Sequence, residues 1–279
     1  MYPQDLPRKK SYIVEEEFPN TPSRMDGISA YRELENRRSG TRFIVRMVNY
    51  LGKYVRESRR KIVNNWIGVS AVLMHQFFLV HSMKNFSVMD ISAVCVFLAG
   101  KTEYCPKLLE HVLNAWIHFK VVRKTLAAIK PRIMIRGLLD IKCREYEFVV
   151  HYFLILENLS LRTVGFNLDI QLPHPKIITH MRDRQKADLR VIMRAYVFAN
   201  EMLLNTDWCL RYTADKLAEI CIFLAYNAVN ARCQRDIYKV LDCLLGKKNG
   251  YYSPIIPSTV LNCQFASEER EDGEISDSD

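Results

Sequence analysis

The sequence predicts an all-α protein built as two tandem helical lobes, and three observations carry that expectation. Glycine and proline are scarce, ten each in 279 residues, so long segments lack the punctuation of a turn-rich β protein. Apolar residues recur at helical spacing through most of the chain, and strand-like alternation is rare. One apolar segment also occurs twice: "ISAVCVFLAG" at 91–100 is echoed by "LAEICIFLAY" at 217–226, an offset of 126 residues. The offset extends backward, setting Val72, Phe77 and Phe78 opposite Phe198, Leu203 and Leu204. That period is too long for a solenoid repeat. A helix apolar on nearly every face must be surrounded by other helices, so each copy marks the centre of a lobe.

In chain order, residues 1–22 combine proline and charge and are expected to be a disordered N-terminal segment. Helices are expected near 28–36, 40–52, 60–82, 88–102, 107–118, 143–164, 174–182, 187–205, 213–230 and 234–246. Asp90 and Thr213 have the side chains of helix starts. Pro106 suits a first helical turn and Gly165 a helix end. The first lobe and a basic connecting loop then occupy 23–142. A helix carrying Glu157 and the second lobe occupy 143–250. An acidic tail, expected to be disordered, occupies 251–279, with Ser276 and Ser278 set among acids as candidate phosphorylation sites.

Composition narrows the function. Hydrophobic residues make up 49% and charged residues 25%, the balance of a globular chain with material for a sizeable core. The first residues lack the apolar core of a signal peptide, and no uninterrupted apolar run approaches membrane-spanning length, so no membrane partner is expected. The eight cysteines form no CxxC pair and lie mostly within apolar helical patterns, which reads as buried free thiols. The seven histidines include no HExxH and no zinc-module spacing, so no metal is expected. There is no GxGxxG, GxxxxGK[ST] or GxSxG. The sequence therefore predicts neither a cofactor nor an enzyme.

Charge is unevenly placed. Residues 268–279 carry a net charge of −6 within a chain of +9, which leaves the rest near +15. Residues 120–142, "KVVRKTLAAIKPRIMIRGLLDIK", hold seven basic residues and one acid. Arg123, Lys124, Lys130 and Arg132 form either a weak nucleic-acid-binding surface or a solvated loop that docks nothing.

Two charges close core-like runs. Lys101 ends "CVFLAG", and its counterpart in the second copy is Asn227, while Glu103 corresponds to Val229. The lobe architecture as such therefore does not require Lys101. Glu157 follows an apolar run from Phe148 to Leu156 broken only by His151. Each is either a charge reaching solvent from the end of a core helix or one half of a functional pair, since pairing offsets part of the cost of burial.

At these residues the sequence resembles the cyclins, specifically the transcriptional cyclin K and cyclin T type. "SRMDGISAYRELENRRSGTRFI" at 23–44 resembles the entry to their first box. "MHQFFLVHSMKNF" at 74–86 is similar to their H-R-F-Y-M-x-x-S-F segment, and "FLAGKTEYCPKLLEHV" at 97–112 to F-L-A-x-K-x-E-E-x-P-K-K-L. "LENLSLRTVGFNLDIQLPHP" at 156–175 resembles I-L-E…L-x-T-L-G-F-x-L…H-P-H. The resemblance spans about residues 23–230 and is most specific in the first box. It departs from the pattern at Tyr104, where a second glutamate is usual, at Gln76 and at Leu172. The second box lacks the tryptophan pair of these cyclins near 230–245. The resemblance implies two cyclin boxes of about five helices each and a non-catalytic nuclear subunit that activates a transcriptional cyclin-dependent kinase. It further implies phosphorylation of the RNA polymerase II C-terminal domain and association with polymerase-bound proteins. By motif it assigns kinase binding to Lys101 and Glu157, with Glu103, Tyr104 and Phe78 beside them. The alternative is a kinase-independent module resembling the double cyclin folds of transcription factor IIB, which would use the basic 120–142 segment on nucleic acid.

Overall fold

The computed structural model describes residues 20–53, 60–103, 105–125, 144–182 and 188–230. The helix expected at 234–246, the loop 126–142, Tyr104 and both chain ends lie outside the described residues. Among the described residues the protein is helical without strands, in the order α1 (Pro22–Met25), α2 (Ala30–Leu51), α3 (Arg60–Val80), α4 (Val88–Thr102), α5 (Leu109–Thr125), α6 (Arg144–Thr163), α7 (Pro173–Arg182), α8 (Leu189–Asn205) and α9 (Ala214–Asn230). A single 3₁₀ turn, Trp208–Leu210, stands between α8 and α9.

Helical structure includes residues that the sequence assigns to the N-terminal segment. Thr21, placed by composition in a disordered segment, is buried and caps α1 by accepting from the Arg24 amide, with Pro22 at the first helical position. Its hydroxyl donates to Glu33 Oε2 at 2.9 Å, which fastens α1 to α2.

The two helices expected at 28–36 and 40–52 are one continuous helix, α2, capped by Ser29. Gly40 does not break it. A Cβ there would lie 2.4 Å from Met74 Sδ, 2.7 Å from Val88 Cγ1 and 2.9 Å from Ser92 Oγ, so the glycine lets α3 and α4 approach the α2 backbone. Alanine gains about 1 kcal/mol in helix propensity, against roughly 1–3 kcal/mol of overpacking. Gly40→Ala is accordingly expected to lower the melting temperature, and a rise in thermal denaturation would contradict this reading of the crossing.

Two other expected landmarks shift. Ser87, not Asp90, is the N-cap of α4; Asp90 sits inside the first turn with its carboxylate buried. Pro106 precedes α5 by three residues instead of opening it. Thr213 does cap α9, accepting from the Lys216 amide. Gly165 ends α6 with φ +63°: its amide bonds Arg162 O and the Phe166 amide bonds Leu161 O, the paired bonds of a Schellman motif.

The first core is built from α2, α3, α4, α5 and α6, with Trp66, Phe77, Phe78, Trp116 and Phe153 among its large members. The sequence reading groups the Glu157 helix with the second lobe. Packing places that helix, α6, in the first core through Phe153 and Leu156. α3 contains an 18-residue stretch, Val63–Val80, apolar enough by length and composition to cross a membrane, but 61% of it is buried inside the protein, as a core helix requires. The second core joins α7, α8, α9 and Trp208. The helices containing the repeated segment, α4 and α9, start 126 residues apart.

The lobes meet where α8 ends. The carbonyls of a last helical turn have no partner within the helix, and first-lobe side chains satisfy three of them. Arg38 Nε donates to Asn205 O at 2.8 Å, Thr41 Oγ1 to Leu204 O at 2.6 Å, and His75 Nε2 lies 3.3 Å from Leu203 O. Leu203 and Leu172 are themselves members of the first core.

Candidate functional site

Every residue of α4 from Asp90 to Gly100 is buried. The helix then reaches the surface at Lys101, whose side chain is 47% exposed. A cation in the last turn is favoured by the partial negative charge at a helix C-terminus. Lys101 Nζ lies 4.0 Å from the Phe97 ring centroid, and Phe97 meets Phe153 of α6 edge-on at 5.9 Å. One turn beyond Phe153, Glu157 faces the lysine. Lys101 Nζ donates to Glu157 Oε1 at 2.6 Å. The two charges that close apolar runs 56 residues apart in sequence are thus brought together.

The pair is asymmetric. Glu157 is almost fully buried at 12% side-chain exposure, while Lys101 stands half in solvent. An isolated buried carboxylate would cost several kcal/mol, and the contact with Lys101 offsets part of that cost. The ammonium has three donors and spends one on this contact. Glu157 Oε2 accepts no hydrogen bond among the described residues. What the pair offers is a fixed donor and a fixed acceptor at the rim of a rigid lobe. Leu154, three residues before Glu157 on α6, is exposed on the same side of the helix, and Leu108 is exposed just before α5.

A second set of contacts fixes α6 on α4. Asp90 accepts from Trp116 Nε1 at 3.0 Å, from Lys120 Nζ at 2.8 and 3.0 Å, and from Tyr152 OH at 3.2 Å. Tyr152 is five residues before Glu157, so the same helix is pinned at both contacts. Burial, followed by the Asp90 carboxylate, raises the Tyr152 phenol above its ordinary range. Sequence reasoning took Asp90 for a cap and missed this role, although an acid three residues after a serine ahead of an apolar run was visible.

The other proposed site residues fare differently. Glu103 is the C-cap of α4, its amide bonded to Ala99 O, and is half-buried beside the pair. Phe78 is corrected: it is fully buried in the first core, edge-on to Phe77 at 5.2 Å, and cannot meet a partner. Tyr104, Lys130, Arg132, Ser276, Ser278 and the side chains of Arg123 and Lys124 lie outside the described residues. Among the described residues no group of three His, Cys, Asp or Glu side chains is placed to hold a metal ion. Cys95, Cys105 and Cys221 are buried free thiols, and burial pushes the thiols of Cys95 and Cys221 far up.

Comparison with known proteins finds relatives over most of the chain. Residues 172–239 match the family described as cyclin-T2-like, C-terminal domain. The chain is 31% identical over 228 residues to cyclin-T1.1 of Caenorhabditis elegans, an alignment covering 81% of this chain and 45% of that protein. Human cyclin-T2 is 31% identical over 214 residues, covering 77% of this chain and 26% of that one.

The chain belongs to the cyclin family.

This cyclin spans less than half the length of the curated relatives it matches. Its fold also matches a chain of the crystal structure of the yeast RNA Pol II CTD kinase CTDK-1 complex. That match has a TM-score of 0.60 at 12% identity and covers 95% of this chain and 92% of that one. The family match at 172–239 falls on the second lobe, the half that the sequence motifs mark as more divergent.

Proposed function

We propose that this cyclin is the non-catalytic, nuclear regulatory subunit of a transcriptional cyclin-dependent kinase. In that role it promotes phosphorylation of the RNA polymerase II C-terminal domain. The observation that carries the reading is the Lys101–Glu157 pair, with its lysine half exposed at the end of α4 and its glutamate held on α6. Such a pair can hydrogen-bond the backbone of the mobile regulatory helix of a kinase while Leu154, one turn before Glu157, packs against it. Holding that helix inward lets its glutamate pair with the ATP-binding lysine. The relatives named cyclin-T and the CTD kinase complex support the choice of kinase class and substrate. The nucleic-acid reading gains no comparable support: Lys120, the first cation of the basic segment, is bound to Asp90.

Lys101→Glu and Glu157→Lys are each expected to weaken capture of the kinase at least about 30-fold, since breaking a close interfacial charge contact costs 2–5 kcal/mol. The double exchange, Lys101→Glu with Glu157→Lys, rebuilds an internal ion pair but reverses the polarity offered to the kinase. It is expected to fold and to remain deficient. Full rescue by the double exchange, or unchanged binding of both single variants, would show that the pair only holds the lobe together.

A further inference from the structure

α6 carries Glu157, and its seat on the first lobe combines apolar and polar contacts. Phe153 and Leu156 enter the core, with Phe153 edge-on to Phe97 at 5.9 Å and to Trp116 at 6.2 Å. Apolar burial is non-directional, whereas hydrogen bonds hold a set distance and angle. Among the described residues two hydrogen bonds join α6 to α4. Glu157 accepts from Lys101 at 2.6 Å, and Tyr152 OH donates to Asp90 Oδ2 at 3.2 Å. Around α6 these two side chains stand about 140° apart, with the buried stripe of Phe153 and Leu156 between them. Along α4, Asp90 and Lys101 stand about 16 Å apart. Two ties so placed fix rotation, register and crossing angle together.

The ties differ in stiffness. Lys101 reaches half into solvent on a flexible four-carbon stem, so its ammonium follows the Glu157 carboxylate and does not place it. Asp90 is the rigid end. It is buried, and its oxygens also accept from Trp116 Nε1 and twice from Lys120 Nζ, both on α5. Lys120 Nζ in turn lies 4.6 Å from the Trp116 ring centroid. A carboxylate offers about four acceptor sites, and these contacts with Tyr152 fill them. The internal repeat shows that the lobe architecture does not require this. The counterpart of Asp90, 126 residues on, is Lys216, which bonds Glu219 on its own helix at 3.0 Å. Asp90 thus shares with Lys101 the property of being absent from the second copy. We infer that Asp90, acting through Tyr152, is a positioning residue for kinase recognition: it sets where α6 lies on α4, and so where Glu157 presents its carboxylate, without touching the kinase. The inference rests on the proposed role of the Lys101–Glu157 pair and extends it to residues that the cyclin motifs do not mark.

Substituting Asp90 would strip Lys120 and Trp116 of their partner and unsettle α5 along with α6, so Tyr152→Phe is the informative variant. It keeps the ring, leaves Asp90 its bonds to Trp116 and Lys120, and cuts only the tie to α6. The purified cyclin-dependent kinase that the unaltered chain captures is titrated against four full-length proteins: unaltered, Tyr152→Phe, Glu157→Ala and the double variant. The temperature is one at which circular dichroism shows all four folded. Tyr152→Phe is expected to weaken binding about five-fold when Glu157 is present and by less than about two-fold when it is alanine. Side chains that act independently give additive losses. A merely structural Tyr152, or one that touches the kinase itself, therefore predicts the same fold loss in both backgrounds. Equal losses, or none in either background, would overturn the inference while leaving the role of the pair intact. If Glu157→Ala binds as tightly as the unaltered chain, the reading of the pair fails and the inference falls with it.

Discussion

Replacing Arg37 by methionine is expected to cost about 3–5 kcal/mol of folding stability, the loss typical of removing one partner from a buried ion pair. Arg37 is 1% exposed although it carries a full charge. Its guanidinium donates to Glu33 Oε1 from Nη2 at 3.0 Å and from Nε at 3.3 Å. It also donates to His75 O at 3.0 Å and to Phe78 O at 3.1 Å. One side chain on α2 thus satisfies a buried carboxylate and two carbonyls near the end of α3. Methionine fills much of the volume but removes the donors to Glu33 Oε1 and to the two carbonyls, leaving each short of a hydrogen bond, while Thr21 and Arg24 still hold Glu33 Oε2. Glu33 suffers most. Burial by itself raises its carboxyl; Arg37, Thr21 and Arg24 outweigh that and hold it below the usual carboxylate range. Without Arg37 this balance tips toward protonation. Urea unfolding followed by circular dichroism measures the effect, with Arg42→Met as the control, because Arg42 pairs with Glu35 on the exposed side of the same helix. Exposed pairs contribute about 0–1 kcal/mol. Equal shifts in the two variants would refute the network's importance. The loss is large against the 5–15 kcal/mol total of an ordinary domain. It should be partly recovered by adding Glu33→Gln, which removes the stranded charge.

What the sequence disclosed and what it concealed divide along a physical line. The apolar pattern of "CVFLAG" recurs in the second copy because any central helix of such a lobe needs it, so periodicity alone located α4 and α9. Lys101 and Glu157 were conspicuous because each interrupts such a run, and charge at the end of a core helix is rare enough to notice. Arg37 was not conspicuous. It lies in "ENRRSG", a stretch that reads as a solvated face, and only the docking of His75 and Phe78 from α3 encloses it. The same stretch suggested a break in α2, because a glycine needed for close approach is indistinguishable in sequence from one that ends a helix. Asp90 illustrates the converse error. Its side chain suits a cap, and only the tertiary arrival of Trp116, Lys120 and Tyr152 gives the carboxylate a different use. Phe78 was placed at the kinase surface by motif proximity, yet the packing of the first-lobe helices encloses it in the core. Local chemistry is legible one residue at a time; enclosure depends on which elements arrive from elsewhere.

Acidification from pH 6.5 towards 4.5 is expected to destabilise this cyclin, and His75 is the group that makes it do so. The imidazole is buried in the first lobe against the lobe junction, between Arg37 and the Leu203 carbonyl. Arg37 Nη1 can only donate, and it lies 3.3 Å from Nδ1, so Nδ1 accepts and Nε2–H donates to Leu203 O. A second proton would have to enter at Nδ1, facing a guanidinium. Burial first, and Arg37 second, therefore depress the group to about 3, against a small opposing pull from the Leu203 carbonyl. The unfolded chain titrates near its ordinary 6.5. Below that pH it binds a proton that the folded protein refuses, so stability falls as pH drops from 6.5 to about 3 and is fully present above 6.5. The slope for one proton is about 1.4 kcal/mol per pH unit. Glu33 acts with the same direction in a lower window: its carboxyl is depressed when folded, so its contribution fades only as pH falls below the ordinary carboxylate value near 4.3. His174, lowered by burial against the hydrogen bond that its Nε2–H donates to Asn200 Oδ1, and His81, lowered by burial, add to the slope and complicate a measurement on the unaltered chain alone. His75→Gln separates them, because its amide can accept from Arg37 and donate to Leu203 O without titrating. Unfolding free energies from urea titrations at pH 6.5 and 4.5 are expected to differ by about 1 kcal/mol per pH unit less in His75→Gln than in the unaltered protein. An identical pH dependence in the two proteins would remove His75 as the source. Hydrogen exchange at pH 4.5 gives the location: amides at the end of α8 should lose protection before those of α4, because the strained contact joins the lobes instead of lying at the centre of either one.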